Sequence, residues 1–264
     1  MQILRLLRQR WAIGLMGGLW AAALGLVFLF TLLGDGFRHL SFDLPLALRP
    51  SNPINGVVIV YMDEESHQEL RQPYKQWDRA LHARLIDRLR AEQARLVIYD
   101  VFFDLEDTNN LAADERLALA MQQHGRVVLA AQCDELHQAG VLTRTVIPPA
   151  RRFRESAAGW GLARVEKDPD FGVRRHYPGF KPHVSLPWKA AQIAEADVTR
   201  DPSRAWRERW MNYYGPAMGL PSISYHRVLS GDGFAPGFFR DKAVFVGGLP
   251  LAGHPGDQKE EFRT

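Results

Sequence analysis

Apolar positions along this chain fall into three kinds of run. The first, residues 11–33, carries no charge over its whole length and is long enough to cross a hydrocarbon core as a helix. The second kind is short and rich in β-branched residues: Val57-Val58-Ile59-Val60-Tyr61, Leu96-Val97-Ile98-Tyr99, Val127-Val128-Leu129-Ala130 and Ala243-Val244-Phe245-Val246. Unbroken runs of this length read as strands buried on both faces. The third kind recurs at helical spacing. Leu81, Leu85 and Leu89, with Ile86 beside them, predict a helix capped by Asp78. Leu117, Ala120 and Met121 predict another over residues 112–124, stopped by Gly125. The succession β-α-β-α-β predicts an α/β fold: a predominantly parallel sheet with helices packed on its faces, preceded by one N-terminal transmembrane helix.

The first two strands matter most for function. A right-handed crossover between them places both strand ends on one edge of the sheet, where ligands of open α/β sheets bind. Asp63-Glu64-Glu65-Ser66 follows the first strand and Asp100 ends the second. Asp63, Glu64, Ser66 and Asp100 are therefore the candidate ligand-binding residues. On the helix between the strands, Arg79, Arg84, Asp87, Arg88 and Arg90 fall mainly on faces expected to meet water, and His82 is expected to face solvent too.

Elsewhere the pattern is weaker. Residues 34–55, with Pro45, Pro50 and Pro53, read as a connector, residues 104–110 as a polar loop, and residues 134–150 as irregular. Residues 159–165 read as a strand that returns over residues 173–177 as a hairpin, the turn being Asp168-Pro169-Asp170-Phe171-Gly172. Residues 187–196 predict a short helix, residues 210–214 an aromatic strand, and residues 223–229 a short helical turn or helix.

Charge refines this picture at the N-terminus. Arg5, Arg8 and Arg10 precede the uncharged span, whereas Asp35, Arg38 and Asp43 follow it, so the positive-inside bias puts residues 1–10 in the cytoplasm and everything after residue 33 outside. A cleaved signal peptide fits less well, because the span exceeds an ordinary h-region and lacks a small-x-small site. Gly14, Gly18 and Ala22 would let two such helices approach closely, which predicts a homodimer. The chain thus divides into residues 1–10, a membrane helix at 11–33, a connector at 34–55 and an extracytoplasmic domain at 56–264. With 33 basic against 30 acidic residues, the balance is too even for a nucleic-acid binder. A single cysteine excludes an internal disulfide framework and a thiolate-rich zinc site.

Catalytic chemistry finds no complete constellation. Asp63 at a strand end with Glu65 two residues on is reminiscent of haloacid-dehalogenase-type phosphohydrolases, but the second acid is a glutamate and the glycine-threonine continuation is missing. Asp168-Pro169-Asp170-Phe171-Gly172 looks like part of a Ca²⁺ loop without its distal glutamate. Gly247-Gly248 lacks both the dinucleotide fingerprint and a Walker lysine. No catalytic residue, metal or cofactor is expected. A membrane-anchored phosphohydrolase or solute-binding protein acting alone is the alternative to a sensor.

Several of these marks, in order, resemble one family. They are Asp63-Glu64-Glu65-Ser66, the helix from Leu81 to Leu89, Val97-Ile98-Tyr99-Asp100-Val101-Phe102-Phe103, Asp168-Pro169-Asp170-Phe171-Gly172-Val173-Arg174-Arg175, Asn212-Tyr213-Tyr214-Gly215-Pro216, Ile223-Ser224-Tyr225 and Asp241-Lys242-Ala243-Val244-Phe245-Val246-Gly247. Over residues 41–264 the chain resembles the CHASE2 domain, an extracytoplasmic sensory module of bacterial membrane receptors. The resemblance implies a location at the bacterial inner membrane, single-pass in this chain, with the main domain periplasmic or extracellular and an unknown extracellular ligand. It also implies a cytoplasmic effector in cis or trans: a nucleotide cyclase, a histidine kinase or a serine/threonine kinase. Two departures stand out. The Trp-Pro-rich stretch common before the first helix is here Gln72-Pro73-Tyr74-Lys75-Gln76-Trp77, and the sequence stops at Glu261-Phe262-Arg263-Thr264, ahead of the later membrane helices expected of the family.

Overall fold

The computed structural model describes residues 2–50, 54–73, 76–138, 141–215 and 219–249. Two compact units are present: residues 1–52 with 213–215, and residues 53–212 with 216–264. In chain order the smaller unit supplies α1 (Gln2–Phe30) and α2 (Leu32–Leu48). The larger supplies β1 (Val57–Met62), α3 (Glu64–Glu69), α4 (Arg79–Ala91), β2 (Leu96–Phe102), α5 (Leu111–His124), β3 (Val127–Gln138) and β4 (Val141–Ile147). It continues with α6 (Arg151–Ser156), β5 (Gly159–Leu162), β6 (Arg175–His176), β7 (Gly179–Phe180), β8 (His183–Val184), α7 (Leu186–Ile193), β9 (Arg209–Trp210), β10 (Ser222–Ser224), α8 (Tyr225–Ser230) and β11 (Ala243–Gly248).

A seven-stranded sheet of order β10-β1-β11-β2-β3-β4, with β5 also beside β3, organises the larger unit. All pairings but β3 with β4 are parallel. Alternate residues of each strand feed two apolar layers. Val58, Val60, Val97, Tyr99, Val127, Leu129, Val244 and Val246 meet α4, whose Leu85, Ile86 and Leu89 are fully buried. Leu96, Ile98, Val128 and Ala130 meet Leu186 and Ala190 of α7. The helix ends are as their residues dictate: Asp78 accepts from Ala80 N at 2.9 Å, and Gly125 takes the left-handed conformation (φ 73°) that ends α5.

Several expectations are corrected. The strand β11 lies between β1 and β2, a placement that periodicity does not give, because it reports a strand's burial and not its neighbours. Within residues 134–150, expected to be irregular, β3 runs on to Gln138 and pairs antiparallel with β4. Residues 173–177 do not return against 159–162; β5 pairs with β3, and β6 pairs with β9. The helix expected over residues 223–229 is present as α8, but it starts at Tyr225, the two residues before it belonging to the edge strand β10.

Arg79 and His82 are buried, not solvated. Arg79 reaches Asp114 of α5 at 3.5 Å, and His82 points into the core. Seen from α4 alone, both polar side chains look as though they belong in water, since their partners come from distant sequence.

In the smaller unit, most of the expected connector is helix. Pro45 lies inside α2, where it removes one hydrogen bond without ending the helix. The expected span at 11–33 is not supported as such. Among the described residues no helix is long and apolar enough to cross a membrane. The uninterrupted run also breaks at Thr31, between α1 and α2. The side chains of Arg5, Arg8 and Arg10, Pro53, Pro216 and the residues after 249 lie outside the described ones.

Candidate functional site

Because β1 and β10 are parallel, with Tyr61 opposite Ser224, the residues that follow each strand emerge side by side. One carboxylate joins them. Asp63 caps α3, its Oδ1 accepting from Ser66 N at 3.0 Å and from Ser66 Oγ at 2.5 Å. Its Oδ2 accepts from Ser224 Oγ at 2.5 Å, and Ser224 is itself the residue before α8. Ser66 Oγ also accepts from His226 N at 3.2 Å and lies 3.1 Å from His226 Nδ1. Burial by itself pushes the Asp63 carboxyl up. The hydrogen bonds from Ser224 and Ser66, with the charge of His226, outweigh burial and hold it below the ordinary carboxylate range.

A serine, a histidine and an acid therefore meet here, but the arrangement does not activate a nucleophile. Ser66 is completely buried, and its single hydroxyl proton is directed to Asp63, leaving none for His226 to abstract. His226 Nε2 stands 3.8 Å from Glu65, which also faces Arg227 at 3.7 Å. Both oxygens of Asp63 already accept hydrogen bonds, unlike a carboxylate poised to attack phosphorus.

Of the four candidate residues, three gather at one turn. Glu64 is half-buried and accepts from Gln68 Nε2 at 2.6 Å across one turn of α3. Asp100 lies on the same sheet edge but not in the same cluster. It is exposed and pairs in register with Gly247, which pairs in turn with Tyr61, so β11 separates the two ends. Two strand spacings amount to roughly 10 Å. Gly247 belongs between them: a Cβ there would stand 3.4 Å from that of Asp100. Ser224 and His226 were not foreseen. The available signal was a serine directly before Tyr225-His226-Arg227-Val228-Leu229, the position from which a serine caps a helix.

Beneath this turn lies a buried polar cluster. Tyr225 Oη is 2.9 Å from His82 Nδ1, Tyr99 Oη donates to His82 O at 3.4 Å, and Trp77 Nε1 donates to His67 Nδ1 at 3.3 Å. Burial, reinforced by the charge of Arg79, pulls His82 down to about 3. The sign of the resulting pH dependence follows. The unfolded chain binds this proton near pH 6.5 and the folded chain only near 3, so stability is full above about pH 6.5 and falls with pH below it, by about 1.4 kcal/mol per unit. By pH 5 the loss should be about 2 kcal/mol. His124 and His176, also shifted down by burial, add to the slope. Thermal melts between pH 7.5 and 5 should show it, and His82→Phe should flatten it. An unchanged slope in that variant would mean His82 is not the responsible group.

The Asp168–Gly172 turn is built as an ionic clasp. Asp168 is buried and accepts from Arg174 Nη1 at 3.0 Å and from Arg175 Nη2 at 2.7 Å, while Asp170 accepts from Arg174 Nη2 at 2.7 Å. Two guanidinium groups thus neutralise the two carboxylates of this turn.

Comparison with known proteins adds the family. No curated protein matches the chain, and no solved structure does. The sequence profile of the CHASE2 domain matches residues 19–254, from inside α1 to beyond β11. That span covers the sheet, the Asp63 turn and the Asp168 clasp alike. The chain belongs to the CHASE2 family of extracytoplasmic sensory domains.

Proposed function

We propose that this protein is the membrane-anchored sensory part of a bacterial receptor, with the larger unit outside the cytoplasm and a stimulus relayed to a cytoplasmic effector. That effector would be a nucleotide cyclase, a histidine kinase or a serine/threonine kinase, joined in cis or in trans. In this reading residues 1–10 are cytoplasmic, the anchor lies within 11–33, and residues 56–264 form the sensor. What supports the anchor is the surface of α1. Trp11, Leu15, Met16, Leu19, Trp20, Leu24, Leu26 and Phe30 are all exposed and cover more than half of the helix's circumference, a surface that water does not tolerate uncovered.

The observation that carries the sensory reading is the Asp63 turn. A single carboxylate ties β1–α3 to β10–α8 at the edge where α/β sheets meet their ligands, and Ser66 beside it is buried. A stimulus that binds one arrangement of this edge better than another would shift the balance between them. In this reading the chain catalyses nothing itself. Turnover of p-nitrophenyl phosphate by the purified chain with Mg²⁺ would overturn that part.

The test joins the chain, through the later membrane segments of a family member, to a class III cyclase. Ser224→Ala removes the link between the two turns while sparing the Ser66 cap on Asp63. It should cost about 1 kcal/mol of stability and change cyclic-nucleotide output severalfold. Asp100→Asn examines the separate end of β2 in the same way. Output that merely tracks the amount of folded protein in both variants would make this edge structural only.

A further inference from the structure

Beyond the sensor itself, we propose that α2 is a dimerisation helix whose exposed seam packs against the same seam of a second copy of this chain. Phe37, Leu40, Leu44 and Leu48 are 60, 56, 51 and 76% exposed. Their spacing of three and four residues confines them to an arc of about 80°. Asp35, Arg38, His39 and Asp43 lie off that arc, and Arg38 pairs with Asp35 at 2.8 Å.

Width and charge decide what covers the seam. A helix lying on a bilayer presents a broad apolar face rimmed by basic residues. The large exposed side chains of α2 fall on one narrow arc, as in helix pairs that share a/d positions, and the helix carries two aspartates against one arginine, the wrong balance for anionic headgroups. Area decides how much α2 contributes. Four such side chains and their symmetry mates would bury on the order of 900 Å², short of the ~1,200 Å² at which specific interfaces begin. The remainder comes from continuity with α1. Phe37, the first seam residue, meets Phe28 of α1 edge-on with centroids 5.4 Å apart, and the exposed apolar surface of α1 runs on from there. Along α1, Gly14, Gly18 and Ala22 lie in a groove flanked by Trp11, Leu15 and Leu19, which allows close helix approach. The parallel direction of the pair rests on the membrane anchor proposed above; the seam does not.

The test uses the full chain in membrane vesicles. Its one cysteine, Cys133, is buried, so Cys133→Ser provides a background for single cysteines in α2. Under copper-phenanthroline oxidation, Leu44→Cys and Leu48→Cys should give disulfide-linked dimers in high yield, and His39→Cys, off the seam, should give at least fivefold less. In the natural background, Leu44→Glu should lower the dimer fraction in mild detergent at least tenfold without moving the melting temperature of the larger unit. Equal crosslinking around the helix would overturn the proposal, as would photo-crosslinking of position 44 to lipid. A chain that sediments as a dimer yet crosslinks nowhere along the seam would overturn it while leaving pairing through α1 intact. A monomeric chain would overturn both. None of these outcomes bears on the cyclase output that tests the sensory reading.

Discussion

Leu85→Asp is expected to leave the larger unit unfolded. Leu85 is completely buried where α4 meets the sheet, beside Ile86 and Leu89. The substitution removes about 2 kcal/mol or more of apolar burial and forces a carboxylate into a site with no partner, at several kcal/mol more. The sum rivals the whole margin of about 5–15 kcal/mol by which domains are stable. Circular dichroism of the purified chain should show loss of the cooperative melt, whereas Leu85→Met should cost under about 1.5 kcal/mol. A Leu85→Asp chain that melts at the natural temperature would mean this face of α4 does not cover the sheet.

Asp114→Ala should be nearly as damaging. Asp114 is completely buried, accepts from Asp107 N at 2.7 Å and faces Arg79 at 3.5 Å. Arg79 lies over the rings of Phe103 and Phe153 and donates to Leu105 O at 2.7 Å, so its charge cannot withdraw to water without undoing that packing. Breaking one half of such a pair typically costs 3–5 kcal/mol, because the other charge stays buried. Replacing both partners by apolar residues, as in Arg79→Met with Asp114→Leu, should cost clearly less. If the double variant proved as unstable as Asp114→Ala, packing rather than the uncompensated charge would be the cause.

Both predictions bear on how much of this protein can be read from its sequence. The core strands and the α4 face are legible because burial on two faces, or on one stripe, forces a repeating choice of residue type; Leu85, Ile86 and Leu89 are buried as their spacing requires. The cap that Asp63 places on α3 is equally local: an aspartate three residues ahead of Ser66 N can satisfy it without help from elsewhere. Features that depend on distant sequence were not legible. His82 pairs with Tyr225, Arg79 with Asp114 and Asp63 with Ser224, and in each case one residue seen alone looks like a side chain that faces water. The ribbon of β3 and β4 escaped for a different reason. Residues 141–145 are exposed, so no buried face imposed an alternation on them. In α2, Pro45 concealed a helix whose apolar spacing was present all along.

The place of β11 has a consequence for how the protein is made. It is the last strand among the described residues, yet it fills the gap between β1 and β2, two of the first to emerge from the ribosome. Until residues 243–248 arrive, the inner edges of β1 and β2 lack their partner, and the sheet cannot close. Pairings so distant in sequence make for slow folding and leave strand edges open to other chains in the meantime. Synthesis or export interrupted before Ala243 should therefore yield an aggregation-prone product rather than a smaller working sensor, and chaperones that shield strand edges would act during that interval.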